Sequence, residues 1–353
     1  MHIGFVGLGS VVETAYLPAL RELAPTLTLS GFDPARVLPG VRPMPSLAAL
    51  LAEPLDRLVI ATPSLLHLPT LEAALASTVP GILVEKPVVA TLAQQQQLLA
   101  LLNDERAAGR LLALDHWMAR SAVQEWLHGQ LGNEWHSESA SLPVPPAVTL
   151  ADIERLEGFL LEPSGFDAEG HPIALNFATG EPDRREFRHP DGVILDIGTH
   201  LLAMLRELLA ALGGDTALTL QARYVCDRLG NPICVGDLHS AEGQACLHGA
   251  AAGVPLTLWL NKYAGPGVER KGLCLHLRGE RRLELDRSGN SEWLTYHADG
   301  QSWRWQRSGA LYRHCIALTL LAPWRSEWQA VTRRRLQEVG CLLTLQQSLR
   351  GPH

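Results

Sequence analysis

One lysine stands among the first 261 residues, Lys86, inside the tripeptide Glu85-Lys86-Pro87. Of thirty basic residues only three are lysines, the others being Lys262 and Lys271, so arginine fills the ordinary surface positions and a surface role explains Lys86 poorly. An ammonium beside a substrate hydroxyl would stabilise a developing alkoxide. Asp196 and His200 are spaced i, i+4, which on a helix turns both side chains to one face, and imidazole is the usual proton acceptor near neutral pH. Such a set suits removal of an alcohol proton while hydride leaves the same carbon. Gly7-Leu8-Gly9-Ser10-Val11-Val12 suggests where the hydride would go. Gly7 permits a tight turn, and Gly9 lets the backbone approach a pyrophosphate seated on a helix N-terminus. Val12 departs from the fingerprint, which has Gly or Ala there for closest packing.

Asp33 lies 24 residues after Gly9, about where an acid accepts hydrogen bonds from an adenosine ribose, which favours NAD. Arg36 is near enough in sequence to pair with a 2′-phosphate, so NADP stays open. Plainer roles exist for each residue: Asp33-Pro34 is a good turn former, Asp196 a possible N-cap, and His200 a partly buried helix residue.

The elements that would position these groups alternate through the first third. Strands are expected at Ile3 to Val6, Leu27 to Phe32, Arg57 to Ala61, Ile82 to Val84 and Leu111 to Leu114, with helices near 12–24, 46–52, 67–77 and 92–108. This is the pattern of a doubly wound parallel sheet, in which ligands bind outside the carboxyl ends of the strands. The segments following those strands are Gly7-Leu8-Gly9, Asp33, Thr62-Pro63, Glu85-Lys86-Pro87 and Asp115-His116. Nearly every residue of chemical potential in this third therefore falls at one rim. Beyond residue 120 the pattern changes: long loops near 142–148 and 163–191, a helix from Asp196 to about Leu212, then β-like runs near 217–226, 242–248, 255–262, 272–278, 281–286 and 292–297. Those spacings suit a largely antiparallel sheet. Leu311 to Leu349 reads as helical with a break at Pro323.

Three segments together carry a resemblance: Ala61-Thr62-Pro63 with His67 following, Val84-Glu85-Lys86-Pro87, and Gly192-Val193-Ile194-Leu195-Asp196-Ile197-Gly198-Thr199-His200. In order and spacing they resemble the signatures of the glucose-fructose oxidoreductase, inositol dehydrogenase and rhizopine-catabolism (Gfo/Idh/MocA) family. The resemblance implies a Rossmann domain over 1–120 and an α+β domain over 121–353 with a large open, mostly antiparallel sheet of the glyceraldehyde-3-phosphate-dehydrogenase kind, its last helices packing back on the first domain. It further implies hydride transfer between NAD or NADP and a sugar, sugar phosphate or cyclitol-like alcohol or ketone. By matching, Lys86, Asp196 and His200 are the catalytic residues. Gly7, Gly9, Ser10, Val11, Asp33, Thr62, Pro63, His67, Glu85 and Lys86 face the cofactor. A looser likeness, of the segment from Asp115 to Gln124 to the Asp-His-Tyr segment of glucose-6-phosphate dehydrogenases, would make Asp115, His116 and Arg120 substrate residues.

Composition bounds the alternatives. With 46% hydrophobic and 19% charged residues the chain is globular, and a net charge of −7 gives no footprint for nucleic acid. Six cysteines without a C-x-x-C pair and histidines without a ligand spacing argue for no metal. The start of the chain lacks signal-peptide features and no run of about 18 apolar residues occurs, which reads as cytoplasmic with no membrane partner. The exposed face of a large sheet leads to the expectation of a homodimer or homotetramer. Two other activities fit the same fold: glycoside cleavage through transient oxidation by a bound NAD, and ligand sensing without turnover.

Overall fold

In the computed structural model the chain divides into two compact units, residues 1–119 with 310–340, and residues 120–309 with 341–353. The structure describes residues 1–119, 131, 134–138, 146–176, 180–183 and 187–351.

The first unit is built on β1 (His2–Val6), β2 (Thr28–Phe32), β3 (Arg42–Pro43), β4 (Arg57–Ile60), β5 (Ile82–Val84) and β6 (Leu111–Ala113). They form one parallel sheet in the order β3-β2-β1-β4-β5-β6. The chain winds outward from β1 to β3 and then returns to β4 on β1's other side. The crevice at that reversal is where such sheets take their ligands. Buried on both faces, the strands carry continuous apolar runs instead of alternation. The five expected strands are all present. The sixth, β3, is a two-residue edge piece whose Pro43 has no N–H to give to a ladder, so its sequence carried no strand signal. The helices are α1 (Leu17–Leu23), α2 (Leu47–Leu51), α3 (His67–Ala76), α4 (Leu92–Leu101) and α5 (Glu105–Ala108). The single helix expected over 92–108 is thus two, because the Asp104 carboxylate accepts from Arg106 N at 2.9 Å and starts α5 afresh.

The second unit carries β7 (His136–Ser137), β8 (Ile153–Leu161), β9 (Ser164–Phe166), β10 (Pro172–Ala174), α6 (Val193–Asp196), α7 (Gly198–Ala211), β11 (Leu218–Cys226), β12 (Gln244–Ala251), β13 (Val254–Asn261), β14 (Arg270–Leu277), β15 (Arg281–Ser288), β16 (Ser291–Ala298) and β17 (Gln301–Ser308). Nine of these strands make one sheet in the order β11-β12-β13-β8-β14-β15-β16-β17-β7. Every pairing is antiparallel except β8 with β13. The strands alternate buried with half-exposed residues, as a sheet covered on one face must. The covering element is α7: a Cβ at Gly158 of β8 would lie 3.3 Å from Leu201 and 3.5 Å from Leu205 of that helix, and 2.8 Å from Leu258 of β13.

The helix expected from Asp196 onward is broken at Ile197 into α6 and α7. Asp196 therefore closes one helix and His200 stands in the first turn of the next, which corrects the expectation that both project from one continuous helix. The last elements are α8 (Leu311–Thr319) and α9 (Trp328–Arg350). Within the first unit Thr332 Oγ1 donates to Leu111 O at 2.9 Å and accepts from Ala113 N at 3.0 Å, fastening α9 along β6. Within the second, Arg350 forms a fully buried ion pair with Glu242, and Gln346 Nε2 donates to Glu242 Oε2 at 2.9 Å. Among the described residues no helix is long and apolar enough to cross a membrane.

Candidate active site

The turn after β1 has the features a dinucleotide needs. Gly7 has φ +86°, and a Cβ there would lie 2.6 Å from Ala61 O, so only glycine passes beneath the end of β4. At Gly9 the reverse holds: a Cβ would meet nothing within 4 Å, leaving open space above the turn. Ser10 and Val11 open the helix that follows, and Glu13 N donates to Gly9 O at 3.1 Å. From Val12 the helix widens for one turn, with Leu17 N–H reaching back five residues to Val12 O, before tightening into α1. The widening begins at the fully buried valine that replaces the usual small residue. Wide turns of this kind recur at functional sites.

Asp33, at the end of β2, accepts from Leu8 N at 2.8 Å through one oxygen and from Ala35 N at 2.9 Å and Arg36 N at 3.0 Å through the other. Burial pushes its carboxyl up, but these three backbone donors and the nearby Arg36 outweigh it and hold the group below the usual carboxylate range. Asp33 thus braces the glycine turn as an anion. Arg36 pairs with Glu13 at 2.7 Å on the exposed surface. Thr62 Oγ1, just past β4, is buried and has no hydrogen-bond partner among the described residues. An open cradle at Gly9, an orphaned hydroxyl at Thr62 and an anion holding the turn all fit a nicotinamide dinucleotide.

The segment after β5 is held from beneath. Glu85 is buried, its Oε1 accepting from Tyr16 O–H at 2.6 Å and its Oε2 from Lys86 N at 3.2 Å. Burial pushes the Glu85 carboxyl up, the Tyr16 hydroxyl counteracts, and Asp115 adds repulsion. His67 is 1% exposed, with Nδ1 2.8 Å from Pro87 O and Nε2 2.8 Å from Thr62 O. Burial keeps this imidazole below its ordinary pKa against the pull of the two carbonyls. Both residues, expected to face the cofactor, are engaged as braces: His67 joins Thr62 to Pro87, and Tyr16 joins the helix of the glycine turn to Glu85. Lys86 itself is half-buried at the strand end. Sequence reasoning missed Tyr16. The signal available was a tyrosine on the inner face of the first helix with a buried acid as its only apt partner.

In the second unit, Asp196 Oδ2 accepts from Lys262 Nζ at 2.5 Å. Its carboxylate is thus committed to an ion pair instead of an N-cap. His200, 8% exposed, lies between Thr199 and the apolar run of α7. Lys262 also lines a cleft of about 720 Å³, together with Phe187, Arg188, Arg228 and Tyr263 among others.

Of the looser substrate set, Asp115 is 1% exposed and its Oδ1 accepts from Trp117 N at 2.9 Å, while His116 stacks on Tyr312 with ring centroids 4.2 Å apart. Arg120 lies outside the described residues. Three possible metal ligands do meet on the second sheet, Glu157, Cys274 and His276, with ligand atoms within 4.8 Å. His276 Nε2 lies 2.6 Å from Glu157 Oε2, while Nδ1 faces Arg155 Nη2 at 3.2 Å. Because a guanidinium only donates, Nδ1 is the acceptor and Nε2 carries the proton given to Glu157. Burial pushes the Cys274 thiol up to about 12. The group is satisfied as a hydrogen-bonded cluster.

A parallel sheet in this order, with a glycine turn after β1 and an anionic Asp closing β2, is the architecture of a dinucleotide-binding Rossmann domain. Residues 1–111 match the profile of the Gfo/Idh/MocA oxidoreductase family, described by its NAD-binding Rossmann fold. A search of curated proteins finds no match. Among solved structures, UDP-N-acetylglucosamine 3-dehydrogenase GnnA from Acidithiobacillus ferrooxidans is similar at TM-score 0.62 and 18% identity, covering 98% of this chain and 99% of that one. KijD10, a 3-ketoreductase from Actinomadura kijaniata in complex with TDP-benzene and NADP, gives TM-score 0.62 and 17% identity over 97% and 96% of the two chains. The probable oxidoreductase yhhX gives 0.61 and 14% over 99% and 98%. At such identities the likeness shows a shared fold over the full length.

Proposed function

We propose that the chain is an NAD(P)-dependent oxidoreductase acting on a secondary hydroxyl or keto group of a sugar or cyclitol. The observation that carries this reading is the rim of the parallel sheet: an open cradle at Gly9 after β1, a Thr62 hydroxyl after β4 with no partner among the described residues, and Lys86 after β5. A bound nicotinamide supplies or accepts the hydride. Lys86 orients the reacting oxygen and stabilises its charge, Asp196 binds a substrate hydroxyl, and His200 exchanges the proton at a ring nitrogen. Glu85, His67 and Tyr16 keep the Lys86 segment in place. The ionised Asp33 disfavours a 2′-phosphate and so favours NAD, while use of NADP requires Arg36 to leave Glu13. The sugar substrates of GnnA and the nucleotide-bearing ligand of KijD10 make sugar nucleotides the first compounds to try.

We further place the protein in the cytoplasm, as a homodimer or homotetramer. The support for the oligomer is the open face of the nine-stranded sheet, where Phe159, Trp259 and Trp293 are only half-buried. Absorbance at 340 nm across sugars, polyols and sugar nucleotides tests the activity, repeated with Lys86→Ala and His200→Ala. Turnover lost in both variants supports it. Cofactor binding without turnover of any compound points instead to a sensor. Glycoside cleavage with no net change at 340 nm points to transient oxidation.

A further inference from the structure

Lys262 is the second of only three lysines in a chain that otherwise uses arginine. It follows directly on β13, and its backbone N donates to Gly243 O at 3.1 Å. The next residue is fixed too, since Tyr263 N donates to Asn261 Oδ1 at 2.7 Å. The side chain is 13% exposed, its Nζ bonded to Asp196 and 4.7 Å from the centroid of the Phe187 ring. A lysine held at the backbone, covered by an aromatic face and aimed at one carboxylate has lost most of its rotamer freedom. Lys262, Phe187 and Tyr263 also line the 720 Å³ cleft.

We propose that Lys262 is a positioning residue for substrate binding, acting through Asp196. The ion pair with the ammonium holds the Asp196 carboxylate in one orientation, so that its oxygens are presented to the substrate as acceptors. It therefore selects a hydroxyl at that position, and rejects both a substrate lacking the hydroxyl and one carrying a carboxylate or phosphate there. The inference rests on the reading of Asp196 as a substrate-binding group and adds the residue that sets its aim.

The test uses the full chain and the best substrate found in the 340 nm panel. Lys262→Met is expected to raise KM for that substrate at least tenfold, with a smaller change in kcat and no change in Kd for NADH or NADPH. Lys262→Arg, which keeps the charge, is expected to recover most of the loss. Lys262→Gln serves if the Met variant does not fold. Because the residue acts through Asp196, the double variant Lys262→Met, Asp196→Asn is expected to be no worse than Asp196→Asn alone. An unchanged KM in Lys262→Met, or losses that multiply in the double variant, would overturn the proposal while leaving the activity standing. A wild-type chain that turns over nothing in the panel would overturn the oxidoreductase reading and this inference with it.

Discussion

Replacing Tyr16 with phenylalanine removes one oxygen and tests how the lysine segment is held. The Tyr16 ring is fully buried, in edge contact with Phe5 at 6.0 Å between centroids, so the aromatic packing survives the change. What is lost is the 2.6 Å hydrogen bond to Glu85 Oε1. A bond to a charged, buried acceptor is worth about 1.5 to 3 kcal/mol, against about 1 kcal/mol for a neutral pair. The Glu85 carboxyl is raised in the fold, chiefly by burial. A raised acid stabilises the folded chain while protonated, fully below the unfolded value of about 4.3, and that contribution fades as pH rises through the folded value. Tyr16 partly offsets this by favouring the ionised form. Without Tyr16 the carboxyl rises further, and the variant's deficit must grow with pH.

The expected destabilisation for Tyr16→Phe is thus about 2 kcal/mol near pH 7.5 and about 1 kcal/mol or less near pH 4. With a urea slope of about 2 kcal/mol per M, the neutral-pH midpoint falls by about 1 M. Urea unfolding followed by fluorescence at both pH values measures it. Equal midpoint shifts at the two pH values would refute the reasoning, because Glu85 would then not be the group that Tyr16 serves.

Other outcomes follow from the same geometry. Gly7→Ala combines positive φ with a clash at Ala61 O and is expected to destabilise the chain by about 2 kcal/mol or more in thermal unfolding. Gly9→Ala has free space for its methyl within the protein, so its unfolding free energy should stay within about 0.5 kcal/mol of wild type while NADH fluorescence titration shows affinity reduced at least tenfold. In the second unit, Gly192→Ala places a Cβ 2.5 Å from Glu242 N and displaces the partner of buried Arg350. It should cost about 3 to 5 kcal/mol, read as a lowered denaturation midpoint. Lys86→Met should lower kcat by about two to three orders of magnitude with cofactor affinity retained, as single-turnover absorbance would show.

The rim residues of the first unit were legible because short buried strands announce themselves, and each chemical group follows a strand directly. Six of the second unit's strands were legible for a similar reason, as alternating runs separated by turns. β8 was not. Its Glu154, Arg155 and Glu157 face the open side of the sheet, so half the strand reads as a charged loop although Leu156, Gly158 and Leu160 alternate beneath. The break at Ile197 was invisible because the surrounding residues are all compatible with helix. Most elusive were the roles of Glu85 and His67. A sequence places both beside Lys86 but does not say whether their side chains turn toward a ligand or toward the core. Only the Tyr16 hydroxyl and the two backbone carbonyls decide that. Lys262 was visible as a rare lysine, yet its pairing with Asp196 joins positions 66 residues apart, beyond any local pattern.

Isotope transfer addresses the chemistry without ambiguity. NADH or NADPH deuterated at C4 of the nicotinamide is supplied with the keto form of the preferred sugar, and the product is examined by mass spectrometry and NMR. Direct hydride delivery predicts one deuterium on the newly formed carbinol carbon and none acquired there from D2O when unlabelled cofactor is used. Label entering that carbon from solvent, or a product formed while the deuterium stays on the cofactor, would contradict the account.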